Sequence, residues 1–396
     1  MTRAMIDDPE VARAASALRS GETGPSTEAI ARAAWSVLAE PGDGVAGALI
    51  RELGAVAALE LALDAPSVAD GRVEGSVRAR RALAEGRARW QPRAQTRALV
   101  DALCGAHQVG ARLVIPGDPE WPGSLDDLGD HAPPALWVRG DTRLLTATPR
   151  VAIVGARAAT GYGEHVAAEI AGDLAAGGAT VVSGGAYGID GVAHRAALGV
   201  GGPTIAFLAG GVDRAYPSGH QELFTRIVAH GAVVSELPCG AAPTKWRFLA
   251  RNRLIAALSQ ATIVIEAGWR SGSLNTAGHA AALGRPLGAV PGPVTSAASA
   301  GCHRLLREYD ARCVTSAAEV RELWGDDARE ASASRPTDPD HTRLLDALGS
   351  RRPLDAMEIC RRSGLDPDRV RALLGLLELE GVLKRSDAGW VRAATR

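Results

Sequence analysis

The stretch that decides the fold runs from Arg150 to Asp190, RVAIVGARAATGYGEHVAAEIAGDLAAGGATVVSGGAYGID. A short apolar run, Val151 to Val154, breaks at Gly155. An amphipathic segment from about Gly163 to Ala176 follows, and a second apolar run, Thr180 to Val182, ends in Ser183-Gly184-Gly185. A strand, a helix and a strand of these lengths predict a parallel βαβ crossover. In such a unit the carboxyl end of the strand opens on a crevice where the next helix presents unpaired N–H groups and the positive end of its dipole. Small residues there let an anion approach.

Outward from this unit, apolar runs begin near positions 151, 180, 204, 232, 262 and 287, each ending in Gly, Ser-Glu or Pro-Gly and separated by helix-patterned segments. That alternation predicts an α/β fold: an extended Rossmann-like, doubly wound, mostly parallel sheet over residues 111–330, whose strand-exit loops line one crevice. Within it, Ala111 to Gly140 supplies two short apolar runs between Pro-rich turns, suited to extending the sheet. Upstream, Glu28 to about His107 is rich in Ala, Leu and Arg with helical periodicity and no strand signal, so residues 1–110 read as a small helical domain. There Ala34 to Leu38 leads to PGDGVAGALIRELGAVAAL, Pro41 to Leu59, as a helix, a Gly-containing turn and a second helix, like a helix-hairpin-helix or sterile-alpha-motif unit. Asp43 in the turn would repel a phosphate, which favours a structural or partner-docking role over DNA contact.

Downstream, Ala331 to Asp340 (ASASRPTDPD) reads as a linker. Residues 341–396 carry three helix-patterned pieces and a two-stranded turn, a winged helix whose third helix starts at Asp366-Pro367 and stops at Gly381. That helix sets Asp366, Asp368, Glu378 and Glu380 beside Arg369 and Arg371. Its acidic balance favours protein contact or autoregulation over base reading.

With 396 residues, 46% hydrophobic and 22% charged, the chain has material for two or three domains with a sizeable core. Net charge is -1, and of 44 basic residues only Lys245 and Lys384 are lysines. A near-neutral total argues against a surface that attracts polyanions everywhere and leaves room for a local basic cleft. The five cysteines show no CxxC pair and no histidine at metal-ligand spacing, which suits free thiols in a reducing compartment. The first twenty residues hold Asp7, Asp8 and Glu10 without an apolar core, and no run approaches the roughly 20 apolar residues of a membrane span. The expectation is a soluble, cytoplasmic protein.

Four loops carry the unusual residues. In loop one, Gly155-Ala156-Arg157 sets an Arg beyond a strand-terminal Gly, where a phosphate would sit at a helix start. In loop two, Ser183, Gly184, Gly185 and Tyr187 let backbone approach a ligand. Asp190 and His194 follow and resemble an acid–base pair, but with no nucleophile nearby a backbone-capping Asp and a packed His fit better. Loop three, Pro243 to Arg253, interleaves Lys245, Phe248, Arg251, Asn252 and Arg253, pairing phosphate-binding cations with rings for unpaired bases. On a helix Arg251 and Arg253 cannot point the same way, so one faces the crevice and one turns inward. In loop four, Arg270, Ser271, Gly272 and Ser273 open a helix with hydroxyls and N–H groups. Loops two and four read as the strongest anion sites. Several such sites along one crevice suit a strand of phosphates better than one nucleotide. No complete GxGxxG with a ribose-binding acid and no GxxxxGK[ST] occurs, which leaves nicotinamide chemistry and ATP hydrolysis without support.

The motifs VGAR with Thr160, Gly161 and Gly163, then SGGAYGIDGVAH, AGGVDRAYP, FLARNRLIAALS, EAGWRSGSLNTA and AVPGPV, stand in one order. Over about Val114 to Val320 the chain thereby resembles the DNA-processing protein A family (DprA, also called Smf). The resemblance implies a non-catalytic single-stranded-DNA-binding protein that hands DNA to the RecA recombinase in natural transformation and dimerises through its Rossmann-like domain, without metal or cofactor. Family members often carry a basic residue where Tyr187 stands, so this chain has one charge fewer there and a ring instead. The alternative is an enzyme of the nucleotide phosphoribohydrolase type; its PGGxGT signature would fall near loop four, where this chain reads GWRSGSLNT.

Overall fold

In a computed structural model, which describes residues 2–19, 26–64, 77–325, 339–349, 352–379, 381–386 and 388–393, the Arg150–Asp190 stretch forms the expected crossover. It lies in a single nine-stranded sheet. The strands are β1 (Arg112–Val114), β2 (Leu136–Gly140), β3 (Arg150–Val154), β4 (Thr180–Ser183), β5 (Thr204–Phe207), β6 (Ala232–Ser235), β7 (Ala261–Val264), β8 (Leu287–Ala289) and β9 (Arg312–Cys313), in the order β1-β2-β6-β5-β4-β3-β7-β8-β9. From β6 across to β9 every pairing is parallel; β2 joins β6, and β1 joins β2, antiparallel. The six apolar runs are thus β3 to β8, and the Ala111–Gly140 segment extends the sheet at one edge. β9 is a strand the hydrophobic pattern does not announce: two exposed residues paired to β8.

Strands β3 to β8 are buried at every residue, as a parallel sheet covered on both faces requires. One face packs Val151, Ile153, Val181 and Ile263 against α8 (Gly161–Ala176), α9 (Ile189–Gly199) and α14 (Ala317–Glu322). The other packs Val154, Val182, Phe207 and Val264 under α11 (Lys245–Leu258), α12 (Ser273–Ala282) and α13 (Ala300–Glu308). The chain leaves β3 toward β4, β5 and β6, then crosses back to β7 on the other side, so the strand order reverses between β3 and β7.

Helices α1 (Thr2–Ile6), α2 (Pro9–Ser16), α3 (Thr27–Leu38), α4 (Gly44–Leu53), α5 (Ala55–Leu63), α6 (Val77–Trp90) and α7 (Thr96–Gln108) share one apolar core with α10 (Gln221–His230) and the β2–β6–β5 side of the sheet. Trp35 meets Trp90 edge-on at 5.1 Å and donates to the Ala55 carbonyl, while Trp137 of β2 donates to the Ser36 hydroxyl at 3.2 Å. In the turn between α3 and α4, the Asp43 carboxylate accepts from the Val45 and Ala46 N–H groups, from Trp90 Nε1 and from Arg89. The donors that a DNA-binding hairpin turns toward a phosphate are therefore filled from within the chain.

The described residues fall into two compact units, Met1–Asp327 and Ala328–Arg396. The second holds α15 (Pro339–Ala347), α16 (Ala356–Ser363), α17 (Pro367–Leu379) and the hairpin β10 (Leu383–Ser386) and β11 (Gly389–Arg392) around Leu344, Ile359, Val370, Leu373 and Leu377. This is the winged-helix order, with Asp366 capping α17 and Gly381 at φ 72° just beyond it. Arg369 pairs with Asp340, and Arg371 with Asp368. The expected linker lies outside the described residues, except Pro339 and Asp340, which open α15. Among the described residues no helix is long and apolar enough to cross a membrane, and the five cysteines are unbridged.

Candidate nucleic-acid interface

At the carboxyl ends of β3 and β7, where the strand order reverses, the loops part around a cleft of about 500 Å³. This is where an open α/β sheet offers its ligand site, and the volume is that of a small-molecule or nucleotide pocket. Loop one contributes Gly155 and Arg157, α11 contributes Phe248, Arg251 and Asn252, and loop four contributes Arg270, Ser271, Gly272 and Ser273, with Ala186 and Asp190 at the back. Nine of the residues singled out in the sequence therefore line one cavity.

The local folding explains how they get there. Thr244 caps α11 by accepting from the Arg247 N–H, which aims the first turn of that helix at the cleft. Asn252 then donates to the Gly272 carbonyl at 3.4 Å and to Asn275 Oδ1 at 3.2 Å, tying loop four to α11. Ser271 and Ser273 share a 2.7 Å hydroxyl hydrogen bond at the start of α12. Gly188, at φ 74°, lies so close to the Ala156 carbonyl that a side chain there would collide with it, and this lets loop two pass over loop one.

Two of the expected anion positions are taken by the chain's own carboxylates. Glu266, 2% exposed, accepts from the Thr160 N–H and hydroxyl, both at 2.8 Å, while Thr160 caps α8. The start of α8 is therefore filled, which corrects the reading that a phosphate sits there beneath Arg157. In loop two, the Gly184 and Ala186 N–H groups donate to Asp190, as the capping reading of that residue requires. His194 is fully buried with Nδ1 on Thr204 Oγ1 at 2.7 Å, and burial pushes its pKa down to about 3, so it packs as a neutral ring.

Arg251 and Arg253 part as helical spacing demands. Arg251, 5% exposed, reaches the cleft and donates to the Gly184 and Phe207 carbonyls; burial lowers its pKa to about 10, which still leaves it charged at neutral pH. Its charge opposes the upward push that burial gives the Asp190 carboxyl. Arg253, 4% exposed, turns inward and grips Glu236 through two 2.6 Å hydrogen bonds. Its guanidinium is committed to the fold, which corrects its assignment to DNA.

Other sequence candidates stand apart from the cleft. Ser183 is buried and donates to the Ile153 carbonyl. Gly184 and Gly185 lie outside the lining; Gly184 accepts from Arg251, and Gly185 abuts Phe224 and accepts from His220 Nδ1. Tyr187 is exposed with its ring edge-on to His220, and Lys245 is exposed beside the Trp246 ring.

What remains open to solvent is cationic and aromatic. Arg157 is exposed and lies 5.0 Å over the Phe248 ring, which also meets Tyr216 at 5.4 Å and Arg251 at 5.8 Å. Tyr216, on the loop leaving β5, and Trp269, next to Arg270, are exposed rings at this rim. Neither belongs to the cation and glycine pattern of the four loops, although a large ring placed in a strand-exit loop, outside any periodic core pattern, is itself a signal.

Residues 112–325 match the DNA recombination-mediator protein A family, and residues 328–389 match the DprA winged helix domain. A DprA-named DNA processing protein of Mycobacterium tuberculosis is 47% identical over 299 residues, covering 71% of this chain and 77% of its own. Protein Smf of Escherichia coli is 37% identical over 309 residues, 75% of this chain and 81% of its own. The X-ray structure of DNA processing protein A (DprA) from Streptococcus pneumoniae superposes with a TM-score of 0.53 at 35% identity, over 61% of this chain and 84% of that one. With its sheet, strand-exit loops and winged helix in these places, the chain belongs to the DNA recombination-mediator protein A family, that of the DprA and Smf DNA-processing proteins.

Proposed function

We propose that the cleft binds single-stranded DNA with little sequence preference and breaks no bond in it. The observation that carries this reading is the division of charge. The inner polar groups are satisfied within the chain, through Glu266–Thr160, Asp190–loop two and Arg253–Glu236. The outward groups keep open surface for a ligand: Arg157 and Arg270 line the cleft, and the exposed rings of Tyr216, packed against Phe248, and Trp269, beneath the Arg304 guanidinium, stand next to lining residues. Exposed guanidiniums beside exposed rings are the elements of sequence-tolerant single-strand binding, phosphates on the cations and unpaired bases on the rings. Among the described residues the cleft offers phosphate-binding cations and stacking rings on strand-exit loops and helix starts and no groove-reading element, so duplex is expected to bind more weakly.

A phosphoribohydrolase would need a carboxylate free to act at the sugar. Among the described lining residues the only carboxylate is Asp190, which holds two backbone N–H groups, and the neighbouring Glu266 holds Thr160. Membership of the DNA-processing family supports the wider role: a homodimer, formed through the Rossmann-like domain in the cytoplasm, that passes single-stranded DNA to RecA during transformation and recombination.

Titration of the full chain with labelled oligothymidylate and with duplex of equal length tests the reading. Tighter binding of the single strand, weakening as salt rises, supports it; equal or tighter duplex binding contradicts it. Sedimentation and a RecA strand-exchange assay test the dimer and the hand-over.

A further inference from the structure

A second cavity, of about 360 Å³, opens beside the first turn of α11, between the end of α3 and the helix start. Its walls are Trp246, Ala250, Thr244 and Pro41, with Glu40 and Arg247 behind. Trp246 is 73% exposed, an unusual cost for the largest apolar side chain unless something covers it. Ala250 lies one helical turn on and leaves space against the ring. The rear wall is tied by ion pairs. Arg247 grips Glu40 through hydrogen bonds of 2.9 and 2.8 Å and donates to the Ala242 carbonyl, and Arg93 pairs with the same carboxylate at 2.8 Å.

We propose that this cavity is a second base-stacking subsite, in which Trp246 takes a nucleobase of the strand whose neighbouring nucleotides occupy the main cleft; the inference rests on the single-stranded-DNA reading of that cleft. Two features select a nucleic acid base as occupant. The cavity adjoins the cleft along one helix, since Trp246, Arg247 and Ala250 of α11 line the cavity while Phe248, Leu249, Arg251 and Asn252 of the same helix line the cleft. Lys245 holds its ammonium 5.7 Å from the Trp246 ring and has no carboxylate partner among the described residues, so a phosphate attached to a stacked base finds a cation there. An exposed ring with one adjacent cation accepts any base, because every base has a π-face. The N-terminal helices thereby gain a role in DNA binding that does not use the Asp43 turn: Glu40 and Pro41 form the wall of the subsite.

The test uses full-length protein, oligothymidylates of roughly 4 and roughly 20 nucleotides, and the variants Trp246→Ala, Trp246→Phe and Phe248→Ala. Trp246→Ala is expected to weaken the longer oligonucleotide about tenfold, the range of one lost stacking contact, and to leave the shorter one unchanged. Trp246→Phe should restore most of the loss, and wild-type tryptophan emission should be quenched more by the long strand than emission from Trp246→Phe. Because the ring is exposed, the melting temperature should not move. Unchanged binding of the long strand by Trp246→Ala, alongside weakened binding by Phe248→Ala, overturns the second subsite and leaves the cleft reading standing. Equal weakening of both lengths by Trp246→Ala also overturns it, because the ring then belongs to the main site. If the wild type holds neither oligonucleotide, both readings fall together.

Discussion

Replacing Arg253 by Ala removes one half of an ion pair whose two members are 4% and 5% exposed. The guanidinium makes two 2.6 Å hydrogen bonds to Glu236 and donates to the His131 carbonyl at 2.8 Å and the Ala250 carbonyl at 2.9 Å. The variant leaves a buried carboxylate without its counter-charge, and breaking such a buried pair from one side costs about 3–5 kcal/mol. At roughly 2–4 °C per kcal/mol for a domain of 150–250 residues, and less for a larger one, the melting temperature should fall by about 5–10 °C. Arg253→Met with Glu236→Leu should regain much of that loss, since it leaves no buried charge unpaired. Calorimetry reads the stability, and an oligonucleotide titration well below the transition reads the binding, which should stay within about twofold of wild type. An unchanged melting temperature with lost DNA affinity would show that Arg253 faces the ligand and would refute the division of Arg251 and Arg253 into cleft and core.

Three further outcomes follow from particular contacts. His194 is buried with its pKa pushed down to about 3, while in the unfolded chain it titrates at the ordinary value of 6.5. Below 6.5 only the unfolded state takes up that proton, so stability falls by about 1.4 kcal/mol per pH unit from this residue down to about pH 3. Urea unfolding at pH 7.5 and 5 should show a smaller decrease in His194→Gln than in wild type, and equal decreases would exclude this origin. Gly185→Val forces a branched side chain onto φ 66° with its Cβ 2.6 Å from the Phe224 ring, and should lower both the melting temperature and the affinity; a variant that melts and binds like wild type contradicts the packing of loop two. A chain ended near Arg335 keeps the whole first unit and should retain most of the affinity for single-stranded DNA, whereas loss of most of the binding would make the winged helix the reader.

The strands were legible because a parallel sheet covered on both faces needs unbroken apolar runs, and β3 to β8 carry them. β9 was not, since two exposed residues held only by backbone pairing to β8 leave no hydrophobic trace. In the candidate site, positions on strand exits were legible and partners were not. Spacing alone separates Arg251 from Arg253, but that Arg253 is the inward one depends on Glu236, 17 residues upstream on another element. Likewise the anion positions at α8 and loop two look vacant in a linear reading. The carboxylates that fill them, Glu266 and Asp190, are placed by tertiary folding and by a turn whose geometry the glycines conceal. The exposed rings Tyr216, Trp246 and Trp269 were visible as residues, but exposure is a property of the fold.

The central claim is that the outward-facing guanidiniums of the cleft hold the phosphates of a single strand. It is tested most directly by titrating wild type and the Arg157→Ala, Arg270→Ala double variant with oligothymidylate across a series of salt concentrations. Each phosphate contact on a single strand contributes a slope of about −0.7 in log affinity against log salt. Loss of two such contacts should make the slope shallower by about 1.4, with weaker binding and an unaltered melting temperature, because both side chains are exposed. Parallel slopes for the two proteins would contradict the account.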